Sequence, residues 1–365
     1  MNAGPLGAAT GTLRAWSMVA ILSTLYIVSF VDRFVRGLLV GPLKADLGVS
    51  DVQIGFLFGT AFAVFYGLVG IPVARLADKG DRRRLILGGV VLWSCCTILS
   101  GFSSTFLTLV LLRIGLAVGE AVLTPATYSL IGDALPKEKQ GLAASIYNAC
   151  GMFGASGAYI VAALAIGWIY AVEPSGELGG MKLWQVIFVM VGVPGLALAG
   201  LFALVAREPA RKIRSKGDKA PSLRDVMRHA TGNARLYFAL FLGAGCLQIM
   251  TNAYLAWGPT FLSRTFGMPV AEAGRTYGLF NMLALVGGTI LVPMLTRRLK
   301  RPDALPLVSA ACGLAGGAFC LAAPLQTTST GFLALVWADC SWPAVVGTMC
   351  WPPSIPSSRV RCRPQ

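Results

Sequence analysis

Histidine is almost missing: the 365 residues include one, His229. Acidic residues are scarce as well, 16 against 31 lysines and arginines, and charged residues of both signs reach only 13%. That histidine lies in the long central polar loop with no nucleophile–base constellation beside it, which argues against a His-dependent triad, and one histidine makes no zinc cluster. The nine cysteines do not make up the lack, because no pair has metal-ligand spacing. Cys95, Cys96, Cys150, Cys246, Cys312 and Cys320 sit in apolar stretches, where a free thiol acts as a small hydrophobe. No metal, cofactor or enzymatic activity is expected from such a set. The shortage of charge also argues against a soluble protein. With 55% hydrophobic residues and a mean hydropathy of +0.68, the chain carries more apolar surface than one water-surrounded core could hide.

What is present is a series of apolar runs, each about 20 residues long, the length that crosses a bilayer as a helix. They lie near 16–39, 52–74, 85–102, 106–131, 142–170, 184–205, 236–262, 273–295 and 305–325, with a doubtful one at 330–346. An all-α membrane protein of about 9–10 transmembrane helices follows. Alternate loops differ sharply in charge. Arg14, the run Arg75–Arg84, Lys137, Lys139, the segment 206–235 and Arg297–Arg301 hold 21 of the 31 basic residues. The opposite loops offer only Lys44, Lys182 and Arg264. This asymmetry predicts a multi-pass protein of the cell's inner membrane with its N-terminus and central loop in the cytoplasm. It also explains the net charge of +15 without a nucleic-acid partner, leaving anionic lipid headgroups as the natural neighbour of the central loop. The first run has only Arg14 ahead of it and no small-residue cleavage site, so an uncleaved helix is expected.

The longest polar interval, 207–235, stands after the sixth run, and a linker there suggests an internal repeat. Leu47–Gly55 reads LGVSDVQIG and Phe266–Gly274 reads FGMPVAEAG, each with two glycines seven residues apart ahead of an apolar run. The same offset of 219 carries the basic loop Asp78–Arg84 onto Arg297–Asp303. The expected organisation is an N-terminal six-helix bundle (1–205), a cytoplasmic basic linker (206–235) and an incomplete C-terminal bundle (236–338). An aberrant tail rich in proline, cysteine and arginine follows over 339–365. Prolines there interrupt any helix, and a reading frame broken near residue 339 is the expected cause.

Charges inside the spans stand out most. Asp32, Arg33 and Arg36 interrupt the first, and Arg113 and Glu120 lie seven apart, two turns along one face of the fourth. An Arg or Asp at the bilayer centre costs about 2.5–3.5 kcal/mol even on the lenient insertion scale. Such groups are tolerable only if they face a polar cavity or meet opposite charge. Asp32 and Arg36 are an i,i+4 pair with the acid first, the favourable order, while Arg33 points about 100° away. A structural ion pair that only fixes helix packing is the plainer reading, but intramembrane ionisable groups usually mark pathways and proton relays.

Three stretches carry a family resemblance. GIPVARLADKGDRRRL (70–85) is similar to the signature loop of the major facilitator superfamily, with Ala74 for its first glycine and Gly80 one place early. LLRIGLAVGEAVLTPATYSLIGDALPKEKQG (111–141) and AWGPTFLSRTFG (256–267) resemble the spinster-like branch of that superfamily. Gln140 stands where that branch usually has Arg, and Arg36 adds a charge where relatives are commonly apolar. The resemblance implies the major facilitator fold and a secondary active transporter working by alternating access with proton coupling. Its solute would be a small organic molecule, with lysolipids and organic anions such as sugar acids both open. It implies a proton-coupling cavity of Asp32, Arg33, Arg113 and Glu120, and a gating loop carrying Asp78, Arg82 and Arg83, whose acid would contact a late helix of the second half. The offset sets Thr251 and Asn252 opposite Asp32 and Arg33. Tyr147, Asn148, Gln248, Asn252, Tyr254 and Asn281 are further candidates for a substrate cavity, each equally readable as an interhelical hydrogen bond. Gly151, Gly154 and Gly157 are assigned to helix packing, and Pro125, Pro194 and Pro259 to kinks. The alternative function is a truncated, non-transporting membrane protein. Oligomeric state is not legible.

Overall fold

In hydrocarbon every backbone N–H and C=O must find its partner inside its own segment, and the chain accordingly folds as helices. A computed structural model describes residues 5–206, 208, 223–299, 314–319 and 321–340. Most of the linker, much of the span expected at 305–325 and the tail over 341–365 lie outside the described residues. Among the described residues seven helices are long and apolar enough to cross a membrane: Leu13–Leu38, Asp51–Ala77, Arg82–Ser100, Phe106–Ala134, Lys137–Val172, Leu183–Val205 and Tyr237–Phe266. The eighth expected span falls in a 30-residue helix, Val270–Leu299, and the doubtful one begins as the helix Ser329–Cys340. One small antiparallel hairpin, β1 (Glu177–Leu178) and β2 (Met181–Lys182), interrupts the pattern. Its turn uses Gly179 and Gly180, both at positive φ, as a two-residue hairpin loop requires.

Several spans that read as single runs are broken where chemistry sits. Helix α1 (Pro5–Val35) gives way to a tighter turn at Arg36–Leu38 before α2 (Val40–Leu47). The second span starts as α3 (Asp51–Gly55), with Ser50 and Gln53 forming a capping box. A π-type turn over Phe56–Thr60 then leads into α4 (Ala61–Lys79). Asp81 caps α5 (Arg82–Ser100), its carboxylate accepting from the Arg84 N–H at 3.0 Å. The fourth span divides into α6 (Phe106–Glu120) and α7 (Leu123–Ala134), breaking at Ala121–Val122. Pro125 lies just past that break, and it supplies no N–H for a continuous ladder. Pro194 and Pro259, by contrast, stay inside unbroken helices, α9 (Leu183–Val205) and α11 (Ala234–Phe266). Helix α8 (Lys137–Val172) precedes them, α10 (Leu223–Gly232) lies between them, and α12 (Val270–Leu299) follows.

Close helix approach is made by glycine. A Cβ on Gly89 would lie 2.7 Å from the Gly119 carbonyl, and one on Gly119 would lie 2.6 Å from the Gly89 carbonyl, so α5 and α6 cross there backbone to backbone. Gly154 of α8 is likewise 2.6 Å from the Ile27 carbonyl of α1, and Gly151 meets the Tyr26 ring. Gly157 faces open space, so the three-residue spacing overstates that packing stripe by one.

The offset of 219 reappears in the packing. Gly48 and Gly267, related by it, both adopt left-handed φ (63° and 67°) and close their helices. A Cβ on Gly274 would meet Leu38, and one on Gly55 would come within 3.9 Å of Trp257, which is Leu38 displaced by 219. Gly37 would press on the carbonyl of Ala256, its own counterpart. These are the paired contacts of two like units facing each other across an approximate two-fold axis.

Candidate functional site

The five intramembrane charges gather into one buried cluster. Asp32, Arg36, Arg113 and Glu120 are each at most 2% exposed. The Arg33 side chain keeps 22% exposure and donates to Glu120 Oε2 at 2.5 Å. Arg113 Nη1 lies 3.8 Å from Asp32 Oδ1. Pairing therefore runs between α1 and α6. Thr97 of α5, which the sequence did not single out, donates its hydroxyl to Asp32 Oδ2 and so makes α5 a third wall. A threonine in an apolar run gives no signal of its own, and only the neighbouring helix makes it a partner.

The expected i,i+4 pair of Asp32 and Arg36 does not form. The helix leaves α geometry at Arg36, and the Arg36 Nε instead donates to the Arg33 carbonyl at 2.7 Å, satisfying a group freed by the break. Aromatic rings carry the rest of the cationic charge. The Arg33 guanidinium lies 4.6 Å from the Phe62 centroid, and Arg36 and Arg113 share the Phe58 ring at 5.4 and 5.7 Å. Arg113 also lies 4.9 Å from Phe188. Each such contact contributes on the order of 1–2 kcal/mol when desolvated. Several polar atoms of the cluster have no hydrogen-bond partner among the described residues: Asp32 Oδ1, Glu120 Oε1, Arg36 Nη1 and all three nitrogens of the Arg113 guanidinium. Fully buried ion pairs add little stability over well-packed apolar groups, so an incompletely satisfied cluster of five charges is poor packing material. It suits proton exchange and ligand binding.

The other candidate cavity residues are spread out. Tyr147 is fully buried, stacks on Tyr26 at 4.1 Å and lies 3.4 Å from the Thr124 hydroxyl. Asn148 exchanges hydrogen bonds with Tyr128. Gln248 and Asn252 are exposed, and Asn252 Nδ2 donates to the Gln248 carbonyl. The Tyr254 carbonyl accepts from Tyr277 at 2.6 Å, and Asn281, 4% exposed, donates to the Tyr277 carbonyl.

At the face carrying the basic loops, Arg82 is 1% exposed. It binds Asp133 at the end of α7 (2.5 Å), Glu208 beyond α9 (2.6 Å) and Ser129. Arg83 adds its N–H to Glu208 and its guanidinium to the Ala203 carbonyl. Asp78 lies in the last turns of α4, and its side chain is outside the described residues. Gln140 donates to the carbonyls of Gly132 and Leu135, closing the end of α7 without a charge. Asp133 and Glu208 were legible only as ordinary acids of a loop motif and a linker.

At the opposite face the two halves touch. Asp51 is held by Lys44 at 2.7 Å and by both terminal nitrogens of Arg264, at 3.1 and 3.0 Å. Lys182 pairs with Asp46, which also accepts from the Trp184 indole at 3.0 Å. The three cations of the poorly charged loops are thus all engaged. Just beneath, Thr260 donates to the Gly37 carbonyl at 3.0 Å, and the Tyr159 and Tyr277 rings meet edge to face at 5.3 Å. Helix α11 is buried along its second half, at Leu255, Gly258 and Leu262, whereas Phe238, Phe241 and Ile249 of its first half are exposed. The described contact between halves therefore lies at one end.

Comparison with known proteins fits this geometry. A family model described as Major Facilitator Superfamily matches residues 22–359. An MFS-type efflux pump of Mycolicibacterium smegmatis is 31% identical over 80% of this chain, which spans only 65% of that pump's length. A probable L-galactonate transporter of Escherichia coli is 24% identical, over 89% of this chain and 72% of its own. Among solved structures, a bacterial homologue of the human lysosomal transporter Spinster, inward-facing and unoccupied, superposes with a TM-score of 0.76 at 28% identity. That match covers 95% of this chain and 74% of the other.

Proposed function

The chain belongs to the Major Facilitator Superfamily, and from that premise we propose that it is a secondary transporter which exchanges protons at Asp32 and Glu120 while moving a small organic solute. One observation carries the reading: two carboxylates and three guanidinium groups gather in one cluster between the first and fourth spans, walled by Thr97 of α5, with buried atoms left unpartnered. Each acid has an arginine across the helix interface, Arg33 for Glu120 and Arg113 for Asp32. Protonating an acid releases its arginine, and that arginine is then free to engage solute, which links the two events. The cluster opens toward solvent at Arg33, and the halves are closed at the face opposite the basic loops. With those loops in the cytoplasm, the conformation is closed outward, in keeping with the inward-facing relative.

In this scheme Asp51, Lys44 and Arg264 act as an outer latch. Surface ion pairs are individually weak, as a gate that opens every cycle requires. The Arg82–Asp133–Glu208 contacts hold the cytoplasmic ends of α5, α7 and α9 as one rigid piece during rocking. The test is flux through the purified chain in liposomes under an imposed proton gradient, with labelled L-galactonate and a labelled lysolipid offered in parallel. Gradient-dependent uptake of one of them above empty vesicles is the expected outcome. Uptake equal to empty vesicles for both would leave the chain a non-transporting membrane protein of this fold.

A further inference from the structure

The cluster contains one cation more than its acids can match. Arg33 is committed to Glu120, and Asp32 is shared between Thr97 and Arg113. Arg36 forms no ion pair among the described residues, although it is 1% exposed. Its Nε is used locally on the Arg33 carbonyl, while its Nη1 is buried without a partner. A lone buried guanidinium is costly and needs an opposite charge to offset it. Its surroundings point in the same direction. Arg36 and Arg113, two like charges, converge on one Phe58 ring at 5.4 and 5.7 Å. Arg113 presents three nitrogens with no hydrogen-bond partner there. Like charges held together around unfilled donors are an arrangement that an oxyanion would stabilise, accepting from both forks. The route is short: the partly exposed Arg33 and the buried Arg36 flank the same Phe62 ring, at 4.6 and 5.9 Å.

We propose that Arg36 and Arg113 form an oxyanion subsite above Phe58, so that the solute carries a compact carboxylate- or phosphate-type group. The inference deepens the transport reading by assigning the charge class of its solute. Arg36 anchors the anion at the break between α1 and α2, in the tighter turn Arg36–Leu38. Arg113 contributes its free donors while it remains near Asp32. A helix-capping role alone would need only the Nε contact to the Arg33 carbonyl, and glutamine or lysine could then replace the arginine with no effect on anions.

The experiment is thermal unfolding of the purified chain in detergent, followed by tryptophan fluorescence. Acetate and phosphate are titrated separately at constant ionic strength set by sodium chloride. The wild type should show a saturable rise in Tm with at least one of them, and the better of the two identifies the group as carboxylate- or phosphate-like. Arg36→Gln should raise the half-saturating concentration at least tenfold. Arg36→Lys, which keeps the charge and loses the fork, should fall between. Lys139→Gln, exposed in the first turn of α8 and outside both the cluster and the latch, should titrate like the wild type. The proposal is overturned if the wild type responds to neither anion, if Arg36→Gln titrates as the wild type does, or if Lys139→Gln loses the response equally. Because binding is read at equilibrium, with no gradient, this result and the liposome flux result can fail independently.

Discussion

Thr97 and Arg36 mark what a sequence can and cannot say about single residues. Five charges inside apolar runs were conspicuous because hydrocarbon makes each costly, and all five are found within one cluster. Their partners were not legible. An i,i+4 argument pairs Asp32 with Arg36 only while the helix continues, and here it stops at Val35. Thr97 lacks any sequence signal, yet its hydroxyl is the closest donor to Asp32. Thr97→Val should therefore remove a hydrogen bond to a charged group, a loss of about 1.5–3 kcal/mol. Thermal unfolding should show that destabilisation, and proton-driven uptake should fall with it. An unchanged Tm and unchanged uptake would mean the hydroxyl only satisfies its second acceptor, the Trp93 carbonyl at 3.1 Å.

Helices were easier to read than their interruptions. Hydrophobic length alone located the spans as far as residue 299, whereas the breaks at Arg36–Leu38, Phe56–Thr60 and Ala121–Val122 depend on tertiary contacts that local propensity does not contain. The glycine spacing in α8 was similarly ambiguous, since a period of three does not say which glycines face a neighbour. Gly154→Ala should be clearly destabilising, because its Cβ would press on the Ile27 backbone at 2.6 Å, which has no flexible side chain to yield. Gly157→Ala, facing open space, should be neutral or gain about 0.5–1 kcal/mol from helix propensity. The two unfolding midpoints, compared in one detergent, check this. Arg82 belongs to the same scale. Arg82→Gln breaks contacts to Asp133 and Glu208 that join three helix ends, and removing one partner of a largely buried set costs about 3 kcal/mol. The expected signature is a lowered Tm with the closed face opposite the basic loops unchanged.

At the scale of the molecule the repeat was visible as two weak matches at one offset, and the packing gives that offset a physical meaning. Gly37 against Ala256, and Leu38 with Gly274 against Trp257 with Gly55, place the approximate two-fold axis at the closed face opposite the basic loops. No residue type announces such an axis, because it exists only once both halves fold. Gly37→Val puts a side chain where the Ala256 carbonyl lies 2.8 Å from an ideal Cβ, so it should wedge that closed face open. Spin labels at Val52 and Glu272 should then move apart relative to the parent protein, and an unaltered distance would show that the latch tolerates the wedge.

The most direct measurement of the central claim, that Asp32 and Glu120 couple protons to transport, compares two fluxes in the same proteoliposomes. Asp32→Asn and Glu120→Gln keep the shape of each side chain and remove its titration. The account predicts that both variants lose accumulation driven by a proton gradient and retain gradient-independent exchange of solute across the membrane. Full proton-driven accumulation in both variants would contradict it.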